Sequence, residues 1–79
     1  MRDTGRRVQV EIEGATKVAV VVMASDNRRS LMLDLCGDGV RYRSGAVLFN
    51  FLPLLADKHD RDGEYTCLIT GAAARVTWL

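Results

Sequence analysis

Two short groupings in this chain carry residue types that can hold a charged ligand. Arg2-Asp3-Thr4-Gly5-Arg6 sets two guanidinium groups in an R-x-x-x-R pattern. A guanidinium is a planar fork that grips phosphate or carboxylate through parallel N–H bonds and stacks on flat rings. Asp34-Leu35-Cys36-Gly37-Asp38-Gly39 forms D-x-C-x-x-G, followed by Val40-Arg41-Tyr42. There, a carboxylate can accept from N–H donors, and glycine lets the backbone turn and approach a ligand closely. Arg2, Arg6, Asp34, Cys36 and Gly39 are the candidate ligand-binding residues.

Catalytic chemistry has little to work with. His59 is the single histidine, in a charged loop beside Asp57, Asp60 and Asp62, where a solvated side chain is the ordinary outcome. That loop has a faint calcium-loop spacing through Asp60, Asp62 and Gly63. Lys58 at the first ligand position and Ile69 at the twelfth rule it out, one by repulsion and the other by lacking a bidentate carboxylate. Cys67 lies within a predicted strand as a small core residue, and Cys36 has no base near it in sequence. Two cysteines and one histidine, widely spaced, make no zinc pattern. The expectation is a protein that is not an enzyme and carries no metal or cofactor.

The elements that must position the arginines and Asp34 follow from alternation of apolar and polar residues. Arg7 to Glu13 (RVQVEIE) turns Val8, Val10 and Ile12 one way and Gln9, Glu11 and Glu13 the other, a half-buried strand. Lys17 to Ala24 (KVAVVVMA) has no polar face, which predicts a strand covered on both sides. Ser25-Asp26-Asn27 is turn chemistry. Ser30 to Leu35 places Leu31, Leu33 and Leu35 inward, and Val40 to Arg43 places Val40 and Tyr42 inward. Val47 to Leu52 is compatible with strand or helix, and Pro53 allows a short helical turn over Leu54 to Lys58. Asp62-Gly63 signals a turn. Glu64 to Thr70 sets Tyr65, Cys67 and Ile69 on one face, and Ala74 to Leu79 does the same for Ala74, Val76 and Trp78.

Six or seven short strands between turns, with at most one helical turn, predict an all-β fold, a small antiparallel β-barrel or sandwich. The 79 residues form one domain, with residues 1–6 as an arm before the barrel. A chain this short buries roughly 60 to 65% of its unfolded surface, so pairing with a second copy or docking onto another protein would add stability. With Arg2, Asp3, Arg6 and Arg7 in place of an apolar stretch, no signal peptide is expected. The apolar run from Val18 to Ala24 is far short of the ~20 residues of a membrane helix. The expectation is a cytoplasmic protein without membrane insertion, with Cys36 and Cys67 as thiols.

The two groupings, in this order and at this separation, resemble the PilZ family, small β-barrel receptors for the bacterial second messenger cyclic di-GMP. The family pattern has R-x-x-x-R on an arm before the barrel and D/N-x-S-x-x-G in a strand-turn-strand. The strand Ala74-Arg75-Val76-Thr77-Trp78-Leu79 is also similar to one such domains carry. The resemblance implies that Arg2 and Arg6 meet phosphates and guanine rings, that Asp34 accepts from the guanine edge and that Gly39 allows close approach. Cys36 stands where the family has Ser, and a thiol is the weaker hydrogen-bonding group.

Two other functions are compatible with the same pattern. One is a protein-interaction barrel without a nucleotide, using the apolar 47–55 segment as an exposed patch. The other is a nucleic-acid-binding barrel of SH3-like, Sm-like or OB type, with Arg28, Arg29, Arg41 and Arg43 on phosphates and Tyr42 stacking. The net charge of +1 argues against it, because backbone binding needs a basic stripe.

Overall fold

In a computed structural model, residues 3–25, 27–35, 42–44, 47–56 and 63–79 are described, with 42–44 and 47–49 described as backbone. The strands are β1 (Arg7–Ile12), β2 (Ala15–Ala24), β3 (Ser30–Asp34), β4 (Tyr42–Ser44), β5 (Val47–Phe49), β6 (Phe51–Ala56), β7 (Glu64–Cys67) and β8 (Ala73–Trp78). Six of them close a barrel in the order β1-β2-β3-β6-β7-β8, because β1 pairs with both β2 and β8. β4 and β5 form a separate antiparallel pair between β3 and β6. The fold is the expected small all-β barrel, and closure leaves its six strands without an open sheet edge.

The alternation in the sequence becomes the wall of the core. Val8, Val10 and Ile12 of β1, Leu31 and Leu33 of β3, and Leu52 and Leu54 of β6 are sealed inside. Leu35, just past β3, joins them, its N–H donating to the Asn50 carbonyl at 2.7 Å. Tyr65 and Cys67 of β7 and Ala74 and Val76 of β8 close the other side, with Cys67 a buried free thiol. Each buried aliphatic side chain contributes about 1.5–3 kcal/mol.

Three sequence expectations are corrected. β2 is not covered on both faces: Ala19, Val21 and Ala24 point inward, while Val18, Val22 and Met23 are exposed. A bulge between Val21 and Met23 explains the doubled outward step, since an extra residue in one strand shifts the phase of all that follow. The helical turn over Leu54 to Lys58 does not form at its described residues, because β6 runs through Pro53 to Ala56. Proline is tolerated there because its carbonyl accepts from Leu68 N at 3.0 Å, just past the end of β7. Its missing N–H faces that same strand end and breaks no continuous ladder. Ile69 does not join Tyr65 and Cys67: β7 stops at Cys67, Gly71 N returns to Cys67 O at 2.8 Å, and Ile69 lies exposed in the turn.

Candidate functional site

One mouth of the barrel is framed by the start of β1, the β2–β3 turn, the start of β7 and the end of β8. The arm closes onto it. Gly5 N donates to Val21 O at 2.8 Å and Val21 N donates to Arg6 O at 2.9 Å, so residues 5 and 6 extend the β1–β2 ladder by backbone bonds. Gly5 takes a φ of +91°, which a side-chain-bearing residue rarely adopts. Arg6 N donates to Asp3 O at 3.1 Å, turning the chain so that Asp3 tucks under the mouth, only 9% exposed.

The β2–β3 turn presents the partner. Ser25 and Ser30 bond through their backbones at 2.9 Å, and the Asn27 carboxamide accepts from Arg29 N at 3.0 Å. Between them, Arg28 adopts a φ of +60°, a left-handed conformation that costs a non-glycine residue about 1–2 kcal/mol of backbone energy. The Tyr65 hydroxyl, rising from the barrel interior, donates to Arg28 O at 2.7 Å and fixes it there. The Arg28 side chain then meets Asp3 as a two-pronged fork: Nε donates to Oδ2 at 2.9 Å and Nη2 to Oδ1 at 2.8 Å. The hydrogen bond to Asp3 raises the Arg28 pKa above its ordinary value, partly opposed by desolvation.

Trp78 is the aromatic floor of this cluster. The Arg28 guanidinium carbon lies 3.9 Å from the centre of its ring and that of Arg6 lies 5.2 Å away, both inside the range of cation–π attraction. Arg6 also approaches the Asp3 carboxylate, Nη1 to Oδ1 3.7 Å, and donates to Leu79 O at 3.5 Å. The mouth thus holds two guanidinium groups, one sheltered carboxylate and an indole.

Of the residues expected from the sequence, Arg6 is part of this cluster. Asp34 is placed near it in the sheet: Arg7 pairs with Val20, and Val20 pairs with Asp34. Arg2, Cys36 and Gly39 lie outside the described residues, as does His59. Asp3, Arg28, Tyr65 and Trp78 were not picked out as one site by the sequence. The available signals were the acid inside the R-x-x-x-R arm and a lone tryptophan in the inward phase at the end of the last strand.

No protein-family model, curated protein or solved structure matches this chain. Chemistry therefore rests on the residues alone. Among the described residues no group of three or more His, Cys, Asp or Glu side chains can hold a metal, and no helix is long and apolar enough to cross a membrane. Another recess, of about 350 Å³, runs along the wall of β1, β8 and β7 as far as Gly14, lined by Glu11, Glu13, Glu64 and Arg75 among others. There Arg75 pairs with Glu64 at 3.3 Å, an exposed bridge of the kind that contributes little. The mouth differs in that its cations are oriented by hydrogen bonds within the fold and backed by an aromatic surface.

Proposed function

We propose that this chain is a non-enzymatic binding domain of PilZ type, a receptor for cyclic di-GMP in bacterial second-messenger signalling, working in the cytoplasm. The observation that supports this most is a shared strand partner. Arg7, which follows the R-x-x-x-R arm directly, and Asp34, which opens D-x-C-x-x-G, both pair with Val20. Two strand spacings, about 10 Å, therefore separate the two motifs across the sheet. A dinucleotide with two phosphates and two flat bases suits such a pair of sites. Arg2 and Arg6 bring forks for the phosphates and flat faces for guanine, Asp34 accepts from the guanine edge, and Gly39 lets the backbone come close. Cys36 takes the family's serine position and contributes a weaker contact.

The test is calorimetry with cyclic di-GMP on the wild type, Arg2→Ala and Arg6→Ala. The wild type binds, and each substitution abolishes binding. At 100 times the dissociation constant the ligand adds about 2.7 kcal/mol of apparent stability, a shift of roughly 10–20 °C in so small a domain. Absence of heat with the wild type, or unchanged affinity in both variants, overturns the reading.

A second reading, a protein-interaction barrel, is favoured by the outer face of β2, β3 and β6. Met23, Met32 and Pro53 form one row across these strands, and Val20, Asp34 and Phe51 another. Phe51 and Leu68 are about half exposed or more, and Met23, Met32, Pro53 and Leu68 line a shallow groove of about 500 Å³. The occupant suited to this face is a second copy of the chain. Arg7 and Asp34 flank Val20 in one row, so a twofold axis through that row sets Arg7 of each copy opposite Asp34 of the other, as an isologous interface requires. Sedimentation equilibrium should show a dimer that Phe51→Asp dissociates; a strict monomer at all concentrations refutes it.

A further inference from the structure

We infer that the barrel mouth is an anion site occupied by the protein's own Asp3, whose carboxylate stands where a ligand's phosphate would bind on Arg28 and Arg6. For the identity of the nucleotide this rests on the receptor reading above; the anion site itself does not.

The geometry at Arg28 is that of ligand recognition. Its fork takes both carboxylate oxygens, at 2.9 and 2.8 Å, as it would take two oxygens of a phosphate. Arg6 reaches one of those same oxygens from the other side at 3.7 Å. The two cations share one carboxylate, which leaves an excess of positive charge among these three groups. The exposures are asymmetric in a telling way. The Asp3 side chain is 12% exposed while those of Arg6 and Arg28 are 43% and 41% exposed. The anion is the enclosed group, and the forks around it are open to arriving solutes.

The two sides of the contact come from different parts of the fold, the β2–β3 turn and the arm before β1. The Arg28 backbone keeps a left-handed conformation under bonds from Tyr65 Oη and within the turn, Arg28 N donating to Ser25 O at 2.9 Å. A strained residue retained by these two bonds points to function. Asp3 instead belongs to an arm that reaches β2 through the Gly5 bond to Val21 and the return bond to Arg6. An incoming phosphate replaces the carboxylate on a fixed fork, the arm swings out, and Trp78, which both guanidinium groups overlie, senses the exchange. The occupant class is a phosphate or pyrophosphate group, best carried by a nucleotide whose base stacks on a guanidinium face. Arg28 becomes a third binding arginine beyond the R-x-x-x-R pair.

Trp78 is the only tryptophan, so its fluorescence reports on this site alone. The full chain, Asp3→Asn, Asp3→Ser and the double variant Asp3→Asn/Arg28→Gln are titrated with cyclic di-GMP and, separately, with inorganic pyrophosphate. Two Asp3 variants guard against one failing to fold, which far-ultraviolet circular dichroism checks. Removing the internal carboxylate should tighten binding of both probes roughly tenfold, the factor set by loss of one charge-assisted competitor. Adding Arg28→Gln should cancel the gain. Cyclic di-GMP bound equally by the wild type and both Asp3 variants overturns the inference and leaves the receptor reading standing. Pyrophosphate bound more tightly by the Asp3 variants, with cyclic di-GMP bound by none, upholds the anion site and sinks the receptor reading. If neither probe binds more tightly once Asp3 is replaced, the mouth is a structural clasp and the inference fails.

Discussion

Tyr65→Phe isolates the strut that holds the mouth together. The ring sits in the barrel interior, 6% exposed, and only its hydroxyl reaches Arg28 O, at 2.7 Å. Phenylalanine keeps the ring and its volume, so no cavity opens and the 3–5 kcal/mol loss of a whole aromatic side chain does not apply. The loss includes the short hydrogen bond to Arg28 O, worth about 0.5–1.5 kcal/mol net. The value should fall in the middle of that range. The bond also holds a residue at φ +60°, and release of that strain when it breaks offsets part of the loss. In a domain of this size 1 kcal/mol moves the melting temperature by about 4–8 °C. Thermal melts followed by circular dichroism should show a drop of that order. In the same sample, Trp78 emission should change, because the Arg28 guanidinium no longer rests 3.9 Å over the ring. Tyr65→Phe with an unaltered melting temperature and unaltered Trp78 emission would refute the claim that this hydroxyl sets the Arg28 turn.

Other expectations test the frame around the site. Leu33→Ala, at a fully buried β3 position, should cost about 2–5 kcal/mol in urea unfolding. Gly63→Ala should be worse than its small size suggests. Its φ is +80° and an added Cβ would stand 2.6 Å from Val76 O, whose own N–H donates to Gly63 O at 2.7 Å; the left-handed penalty alone is about 1–2 kcal/mol, and a lowered urea midpoint checks it. The raised Arg28 pKa has a definite sign. A cation whose folded pKa lies above its unfolded value contributes stability below the unfolded pKa and loses it only as pH rises through the folded one. Trp78 emission should therefore stay flat from neutral into mildly alkaline solution, and a titration step there would contradict the Asp3 clasp.

The barrel was readable because its inward residues obey a period of two. Val8-Val10-Ile12, Leu31-Leu33-Leu35 and Ala74-Val76 face inward as the alternation requires, and all are buried. The reading failed where a residue's face is decided by its neighbours in space. The valines of β2 look alike on both sides, and only pairing with β3 reveals the bulge that turns Val22 and Met23 out together. Pro53 reads as a breaker until β7 is seen to end beside it. Ile69 continues the alternation of Tyr65 and Cys67 but falls beyond the point where Gly71 turns the chain.

The site was legible in part for the same reason. Arg6 stood out by type and spacing, and Arg28 only as one of several arginines for phosphates. Asp3, Arg28 and Trp78 come together because barrel closure joins the first and last strands and sets the β2–β3 turn beside them. A carboxylate enclosed between two cations is a tertiary fact. The Asp3–Arg6 half is local, three residues apart in the arm, but no local pattern brings Arg28 to it.

The most direct measurement of the central claim is a two-dimensional amide NMR titration of the full chain with cyclic di-GMP. The account predicts saturable shifts concentrated at Gly5, Arg6 and Arg7 of the arm, at Val20 and Val21 of β2 and at Asp34, with the Trp78 indole N–H moving alongside. A spectrum that stays unchanged at saturating nucleotide, or that moves only around Gly14 and Gly71 at the other end of the barrel, would contradict it.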